Sequence, residues 1–327
     1  MNRRRRIIFV FGVGALAAPL ASVAQQEGKV WRMGFLGVTT ASAYVSELEA
    51  IRERLRDLGY VEGKNIVIEY RWAEGSPERL REMAAALVSL RVDVIVTHST
   101  VGARAAGQAT KTIPIVMADS ADPVAAGLVA SYARPGGNIT GSTSFPTELN
   151  AKRLELLKEI LPSLTRVAIL LNAQSPITAL IFREAEIAAQ RMKVELHQFA
   201  IKEIEELPGT FAAMAKRRVQ GILIGDDPLF NSNGGAIAAL AATHGIAAIG
   251  ITSYPGAGGL LGYSSNRRLV YGRAASFVDR IFKGAKPGDL PIERASKFDF
   301  IVNLKTAKSL GIQIPQNLRL RADRVIE

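Results

Sequence analysis

The stretch Val92-Asp93-Val94-Ile95-Val96-Thr97-His98-Ser99-Thr100 changes character half-way along. Val92 to Thr97 is a near-continuous apolar run, as expected of a strand covered on both faces. His98-Ser99-Thr100 then opens a helix over Thr100–Thr110, and a second apolar run follows from Ile113 to Ala118. Buried strand, helix and buried strand in succession make the unit of a parallel sheet.

The unit repeats in both directions. Towards the N-terminus, Val30–Val38 reads as a strand, and Val45, Leu48, Ile51, Leu55 and Leu58 follow near helical spacing up to Gly59. Asn65–Trp72 alternates as a second strand, and Pro77 opens a helix with Leu80, Met83, Ala84 and Leu87 on one face. Beyond Phe145-Pro146 the rhythm restarts: a helix marked by Leu154, Leu157 and Leu161, strand Arg166–Leu171, helix Ile177–Met192 and strand Val194–Ala200. A helix around Phe211 and Met214, strand Gly221–Gly225, helix Pro228–Thr243 and strand Ile246–Ile251 complete this half. A further amphipathic helix carries Val270, Ala274, Phe277, Val278 and Ile281, and Phe298–Leu304 forms a last strand. The fold class expected is α/β, with two doubly wound lobes. An extra helix and strand after two complete halves imply that the chain crosses back, giving several linkers that permit hinge closure about a cleft. The expected lobes are 25–145 plus about 265–292, and 146–264 plus about 293–310, with 311–327 a tail packed on one of them.

Arg3 to Arg6 precede an apolar stretch from Ile7 to Leu20, and Ser22-Val23-Ala24 supplies small residues for a signal peptidase. Residues 1–24 therefore read as an export signal cleaved after Ala24. The apolar part is shorter than the roughly 20 residues that span a bilayer. Arg4-Arg5-Arg6-Ile7-Ile8 also fits a twin-arginine signal, so the export route stays open. Cysteine is absent, which removes a disulfide framework, a thiol nucleophile and a lipoprotein anchor. The place expected is the periplasm. Four leader arginines contribute to the formal charge of +11, leaving +7 on the exported part. Those charges are scattered, aromatics are only 6%, and Lys216-Arg217-Arg218 reads as a solvated helix end, so no nucleic-acid partner is expected.

Ordered motifs along the whole exported part resemble one family. They include Leu58-Gly59-Tyr60-Val61-Glu62-Gly63, Glu69-Tyr70-Arg71-Trp72-Ala73-Glu74-Gly75, Val92 to Thr97, Asp122-Pro123-Val124 and Ala133-Arg134-Pro135-Gly136-Gly137-Asn138. Lys152-Arg153-Leu154-Glu155, Asp227-Pro228-Leu229-Phe230, Asn303-Leu304-Lys305-Thr306 and Leu320-Arg321-Ala322-Asp323 continue the match. The chain resembles the periplasmic substrate-binding proteins of ABC transporters, in the branch that includes tryptophan and other aromatic amino-acid binders. The resemblance implies a type I periplasmic-binding fold, Rossmann-like lobes joined by three crossovers, a small-molecule solute and an ABC permease as partner. It also singles out Asp119, where the family usually carries a small neutral residue.

In doubly wound sheets, ligands bind beyond the carboxyl ends of the strands. His98, Ser99 and Thr100 lie there at the start of a helix, where N–H groups and hydroxyls suit a carboxylate, although Ser99 or Thr100 also serves as a plain N-cap. After the fourth strand, Asp119 and Ser120 either face the cleft, with Asp119 pairing a substrate ammonium, or line a surface or hinge. Asp122-Pro123 reads as a structural helix start. Thr40 and Ser42 bind or cap the first helix, and Tyr44 covers an apolar ligand or packs on the loop. In the second half the corresponding candidates are Asn172, Ser175, Asp226 as the amine partner, and Tyr254 as a stacking wall or a hinge residue. Neither a Gly-Lys-Ser/Thr phosphate loop nor a Gly-x-Ser-x-Gly elbow occurs. His98, His197 and His244 lie far apart, so no metal and no cofactor are expected. The expected function is that of a monomeric receptor delivering an amino acid or related carboxylate to an importer. An exported enzyme or a ligand-sensing subunit using the same cleft is the alternative.

Overall fold

The computed structural model describes residues 29–144 and 146–327. The expected signal peptide and its cleavage site after Ala24 lie outside the described residues, as does Phe145. The first half runs β1 (Trp31–Gly37), α1 (Val45–Asp57), β2 (Ile66–Trp72), α2 (Pro77–Ser89), β3 (Val94–Thr97), α3 (Ser99–Ala109), β4 (Ile115–Ser120) and β5 (Ile139–Thr143). The second runs α4 (Pro146–Ile160), β6 (Arg166–Asn172), α5 (Thr178–Arg191), β7 (Glu195–Ile201), α6 (Leu207–Lys216), β8 (Gly221–Ile224), α7 (Pro228–Asn231), α8 (Gly234–Thr243), β9 (Ala247–Gly250) and β10 (Leu261–Ser265). Then follow α9 (Arg267–Phe282), β11 (Glu293–Arg294), β12 (Phe298–Asn303), α10 (Leu304–Ser309), α11 (Gln316–Arg321) and β13 (Arg324–Ile326).

Two sheets result, in the orders β11-β5-β4-β3-β1-β2 and β13-β12-β10-β9-β8-β6-β7. All pairs are parallel except β10 with β12. Within each lobe the first five strands follow one order, in which the second strand flanks the first on one side and the third on the other. That reversal creates a switch point between β1 and β3 and another between β6 and β8. The chain passes between the sheets three times: from β5 to α4, from β10 to α9, and from β11 to β12. Residues 311–327, expected as a tail, contain α11 and the edge strand β13, which pairs with β12.

Strand alternation decides what each face buries. Met33 and Phe35 of β1 join Val94, Val96 and Val116 beneath α1 and α9, whose Ile51, Leu55, Tyr271, Ala274 and Phe277 complete the cluster. Leu36, Ile95, Ile115 and Met117 point the opposite way, against α2 and α3. The second sheet is covered likewise, by α4 and α5 on one face and by α6 and α8 on the other. Helix starts follow local chemistry. Ser76 Oγ accepts from the Arg79 N–H ahead of Pro77, and Asp227 Oδ1 accepts from the Leu229 N–H ahead of Pro228. Asp122 caps no helix: its Oδ1 accepts from the Val124 and Ala125 N–H groups of a turn.

The crossings are tied together by hydrogen bonds. Asn266 caps α9 through Leu269 N–H at 2.9 Å and donates to Asp299 at 2.7 Å. Arg273 donates to the Arg294 carbonyl and to Ser296 Oγ at 3.0 and 3.1 Å, while Arg294 pairs with Glu148 of the second lobe at 2.6 Å. Arg153, wholly buried in α4, donates to the Tyr263 and Ile224 carbonyls at 2.8 and 3.0 Å. It thereby ties α4 to the middle of β10 and to the cleft-side end of β8.

Candidate ligand-binding site

The carboxyl ends of the two sheets face each other across a cleft, and a cavity remains between them. Its lining comes from both switch regions and from α9: Tyr44, His98, Ser99, Thr100, Asp119, Ser120 and Ser144 on the first lobe, Asp226, Pro228 and Asn231 on the second, with Arg267 and Tyr271. The lobes touch here, because Ser232 Oγ donates to Thr39 Oγ1 at 3.0 Å. A neutral hydroxyl pair contributes only about 1 kcal/mol, so Ser232→Ala is expected to weaken ligand binding by roughly fivefold or less in calorimetric titration.

The first-lobe wall is aromatic. The Tyr44 and His98 rings lie 4.2 Å apart, and Tyr271 closes the group 6.2 Å from Tyr44. His98 Nε2 accepts the Val38 N–H at 3.1 Å, which joins the ends of β1 and β3 and leaves the imidazole proton on Nδ1. Burial, and then the Arg267 charge, pull its pKa down to about 3, so the ring is neutral. Ser99 adopts a left-handed φ of 63° at the start of α3, and its Oγ accepts from the Gly102 N–H at 3.4 Å. Thr100 Oγ1 lies 3.4 Å from Ser120 Oγ. Ser99 therefore does cap the helix, while Thr100 and Ser120 present hydroxyls beside its N-terminus.

Charge is concentrated at the seam. Arg267 Nε pairs with Glu47 at 2.6 Å, both side chains being 12% exposed, and its guanidinium lies over the Tyr44 and Tyr271 rings. Burial works against that charge, but Tyr271, Glu47, Tyr44 and Asp226 outweigh it. Burial lowers the pKa of Arg153, and Asp226 acts the other way. Asp226 Oδ1 accepts from Asn231 Nδ2 at 2.9 Å. Asp119 is 8% exposed, and its Oδ1 is buried without a partner among the described residues. Burial first, then the Asp226 charge, push its carboxyl up to about 7, against Arg267, the Ser144 hydroxyl and the Ser120 N–H.

Of the residues singled out from sequence, the cavity gathers Tyr44, His98, Ser99, Thr100, Asp119, Ser120 and Asp226. Thr40 and Ser42 lie elsewhere: both are exposed, their hydroxyls 3.1 Å apart, because a short turn over Ala41–Tyr44 swings only Tyr44 inward. Asn172 is engaged structurally, donating to the capping Asp227 at 3.1 Å and accepting from the Gln174 N–H. Ser175 sits in the turn before α5, with its N–H on the Asn172 carbonyl. Tyr254 packs into the second-lobe core with its ring against Gly250 and Gly259, away from the cavity. Arg267, Tyr271, Ser144 and Asn231 escaped the sequence reading. Ser264-Ser265-Asn266, small polar residues after an apolar run, is the strand-end signal that points to Arg267.

Two doubly wound lobes, three crossings and a polar cleft at the switch points define a type I periplasmic-binding protein. The family model described as "ABC transporter substrate binding protein" matches residues 39–326, and the chain belongs to that family. It is 27% identical over 273 residues to a tyrosine-binding protein of Clostridioides difficile (strain R20291), covering 83% of this chain and 76% of that one. Among solved structures, a conserved domain protein from Vibrio cholerae is similar at 26% identity and a TM-score of 0.86, over 91% of this chain and 100% of that one. The fold is shared with a Streptococcus pneumonia ABC domain in complex with L-Trp, at 24% identity and a TM-score of 0.84, over 90% of this chain and 99% of that one. Proteins of this family bind small solutes outside the cytoplasm and work with ABC permeases. Among the described residues no helix is long and apolar enough to cross a membrane.

Proposed function

We propose that this chain is an exported, monomeric solute receptor, freed from its signal peptide after Ala24, that delivers an amino acid or related carboxylate to an ABC importer. The solute carboxylate meets the N-terminus of α3 at Ser99 and Thr100, its ammonium meets Asp226, and Tyr44 and Tyr271 cover its apolar part. The observation that carries this reading is the composition of the cleft: an aromatic wall, a helix N-terminus and carboxylates from both lobes around one cavity. The tyrosine-binding relative and the tryptophan complex support the ligand class. Binding to both lobes favours the closed arrangement, and the lobes divide by sheet membership, with the three crossings, after β5, between β10 and α9, and between β11 and β12, acting as hinges.

A non-catalytic role is favoured by the state of His98. Its Nε2 is occupied, and a pKa of about 3 disqualifies it as a base near neutrality. A saturating amino-acid ligand at about 100 times its Kd stabilises the protein by roughly 2.7 kcal/mol, a rise in Tm of several degrees. Thermal-shift screening against amino acids and aromatic carboxylates should show that rise, with the ligand recovered unchanged by mass spectrometry. No shift with any of them, together with a shift from a sugar, would overturn the ligand class, and recovery of a converted product would make the protein an enzyme.

A further inference from the structure

Among the described residues, one carboxylate of the cleft has neither an ion pair nor a partner for one of its oxygens. Arg267 is engaged by Glu47 at 2.6 Å. Asp226 is held by Asn231 and lies within electrostatic reach of Arg153. Asp119, at the end of β4, has no cation of its own, and its Oδ1 is buried without a partner among the described residues. A buried carboxylate in that condition is costly until a donor reaches it. The Asp226 carboxylate approaches from the other lobe across the same cavity, so closing the cleft sets two acids against each other.

We propose that Asp119 makes the cleft select a solute bearing an ammonium group over the same solute without it. This deepens the amino-acid reading above and rests on it. An ammonium at the seam supplies the missing donor and neutralises the repulsion. A guest lacking it closes the cleft at a penalty unless Asp119 takes up a proton.

The sign of the pH dependence follows. With the lobes in contact, burial and Asp226 raise the Asp119 carboxyl to about 7, and opening the cleft relieves both and returns it toward the ordinary aspartate range of about 4. The other groups facing it are Arg267, already paired, and Tyr271, Tyr44 and His98, all neutral near pH 7. Closure without an ammonium therefore takes up a proton. It becomes harder as pH rises from about 4 to about 7 and changes little above that. An ammonium guest keeps Asp119 ionised, so its affinity stays level over the same range.

The test is calorimetric titration of wild type, Asp119→Asn and Asp119→Ser with L-tyrosine, L-tryptophan and their des-amino analogues phloretic acid and indolepropionate, at pH about 5 and about 8. Wild type should prefer the amine by roughly 100-fold at the higher pH, and the des-amino acids should gain at the lower one. Both variants should shrink the preference tenfold or more and lose the pH dependence. The absence of cysteine allows a second readout, with dyes on Glu78→Cys and Lys216→Cys reporting lobe closure. Ligand-free wild type should be more closed at the acid pH, and Asp119→Asn equally closed at both. An unchanged preference in correctly folded variants, or closure in wild type independent of pH, would overturn the selectivity alone. Failure of all four probes to bind wild type would overturn the amino-acid reading and the selectivity with it.

Discussion

Gly141→Ala is expected to lower the melting temperature by roughly 10 °C. Gly141 lies in β5 at a φ of 134°, a conformation that side chains rarely adopt, and its strand register with β4 shifts between Met117 and Ser120. A Cβ there would stand 2.6 Å from the Met117 nitrogen and closer still to its carbonyl oxygen. Both obstacles are backbone and cannot rotate away. Strain of about 1–3 kcal/mol adds to overpacking of about 1–3 kcal/mol. For a protein of this size each kcal/mol shifts Tm by roughly 2–4 °C. Gly137→Ala is the control: a Cβ at that position meets nothing within 4 Å, and its Tm should stay near wild type. A Gly141→Ala protein melting with the control would show that β4 and β5 separate easily. The site would feel the change as well, because β4 ends in Asp119 and Ser120 and Ser144 directly follows β5.

Arg267→Met is the second large effect. It strips Glu47 of a partner at 2.6 Å while leaving that carboxylate buried, a situation that costs on the order of 3–5 kcal/mol. It also removes the cation that holds Asp119 down, so the Asp119 carboxyl is pushed further up. The same side chain joins α9 to α1, so the loss falls on the first lobe as a whole. Adding Glu47→Leu should recover most of the lost Tm, because an apolar pair of similar volume replaces the ions without stranding either. A double-mutant cycle by thermal and urea unfolding measures the coupling. A double variant no more stable than Arg267→Met alone would refute the assignment.

The sheets were legible because parallel strands buried on both faces must be almost wholly apolar. Val94 to Thr97 and Arg166 to Asn172 are of that kind. β5 was not, since Ile139-Thr140-Gly141-Ser142-Thr143 is mostly small and polar although buried throughout. Two of its three hydroxyls are satisfied inside the fold, Thr140 on the Leu290 carbonyl and Thr143 on the Ala121 carbonyl. Pairings of that sort join residues far apart in the chain and leave no local pattern. The first-lobe wall of the cleft followed from the strand-end rule. Tyr254 obeyed the same rule and still fell elsewhere, because Gly250 and Gly259 offer flat backbone on which its ring lies. Arg267 gave no helical signal, because the apolar face by which this helix is recognised begins at Val270, while Arg267 occupies its first turn.

The route of α9 bears on how such a protein is made. The apolar underside of β1, β3 and β4 is roofed by Tyr271, Ala274, Phe277 and Val278, which leave the ribosome only after α4 to β10 of the second lobe have been synthesised. Until then a nascent chain carries Phe35, Val94, Val96 and Val116 with half their cover missing. The first lobe thus completes its fold only after most of the second has been made, so a nascent chain must keep that sheet face from aggregating through the interval.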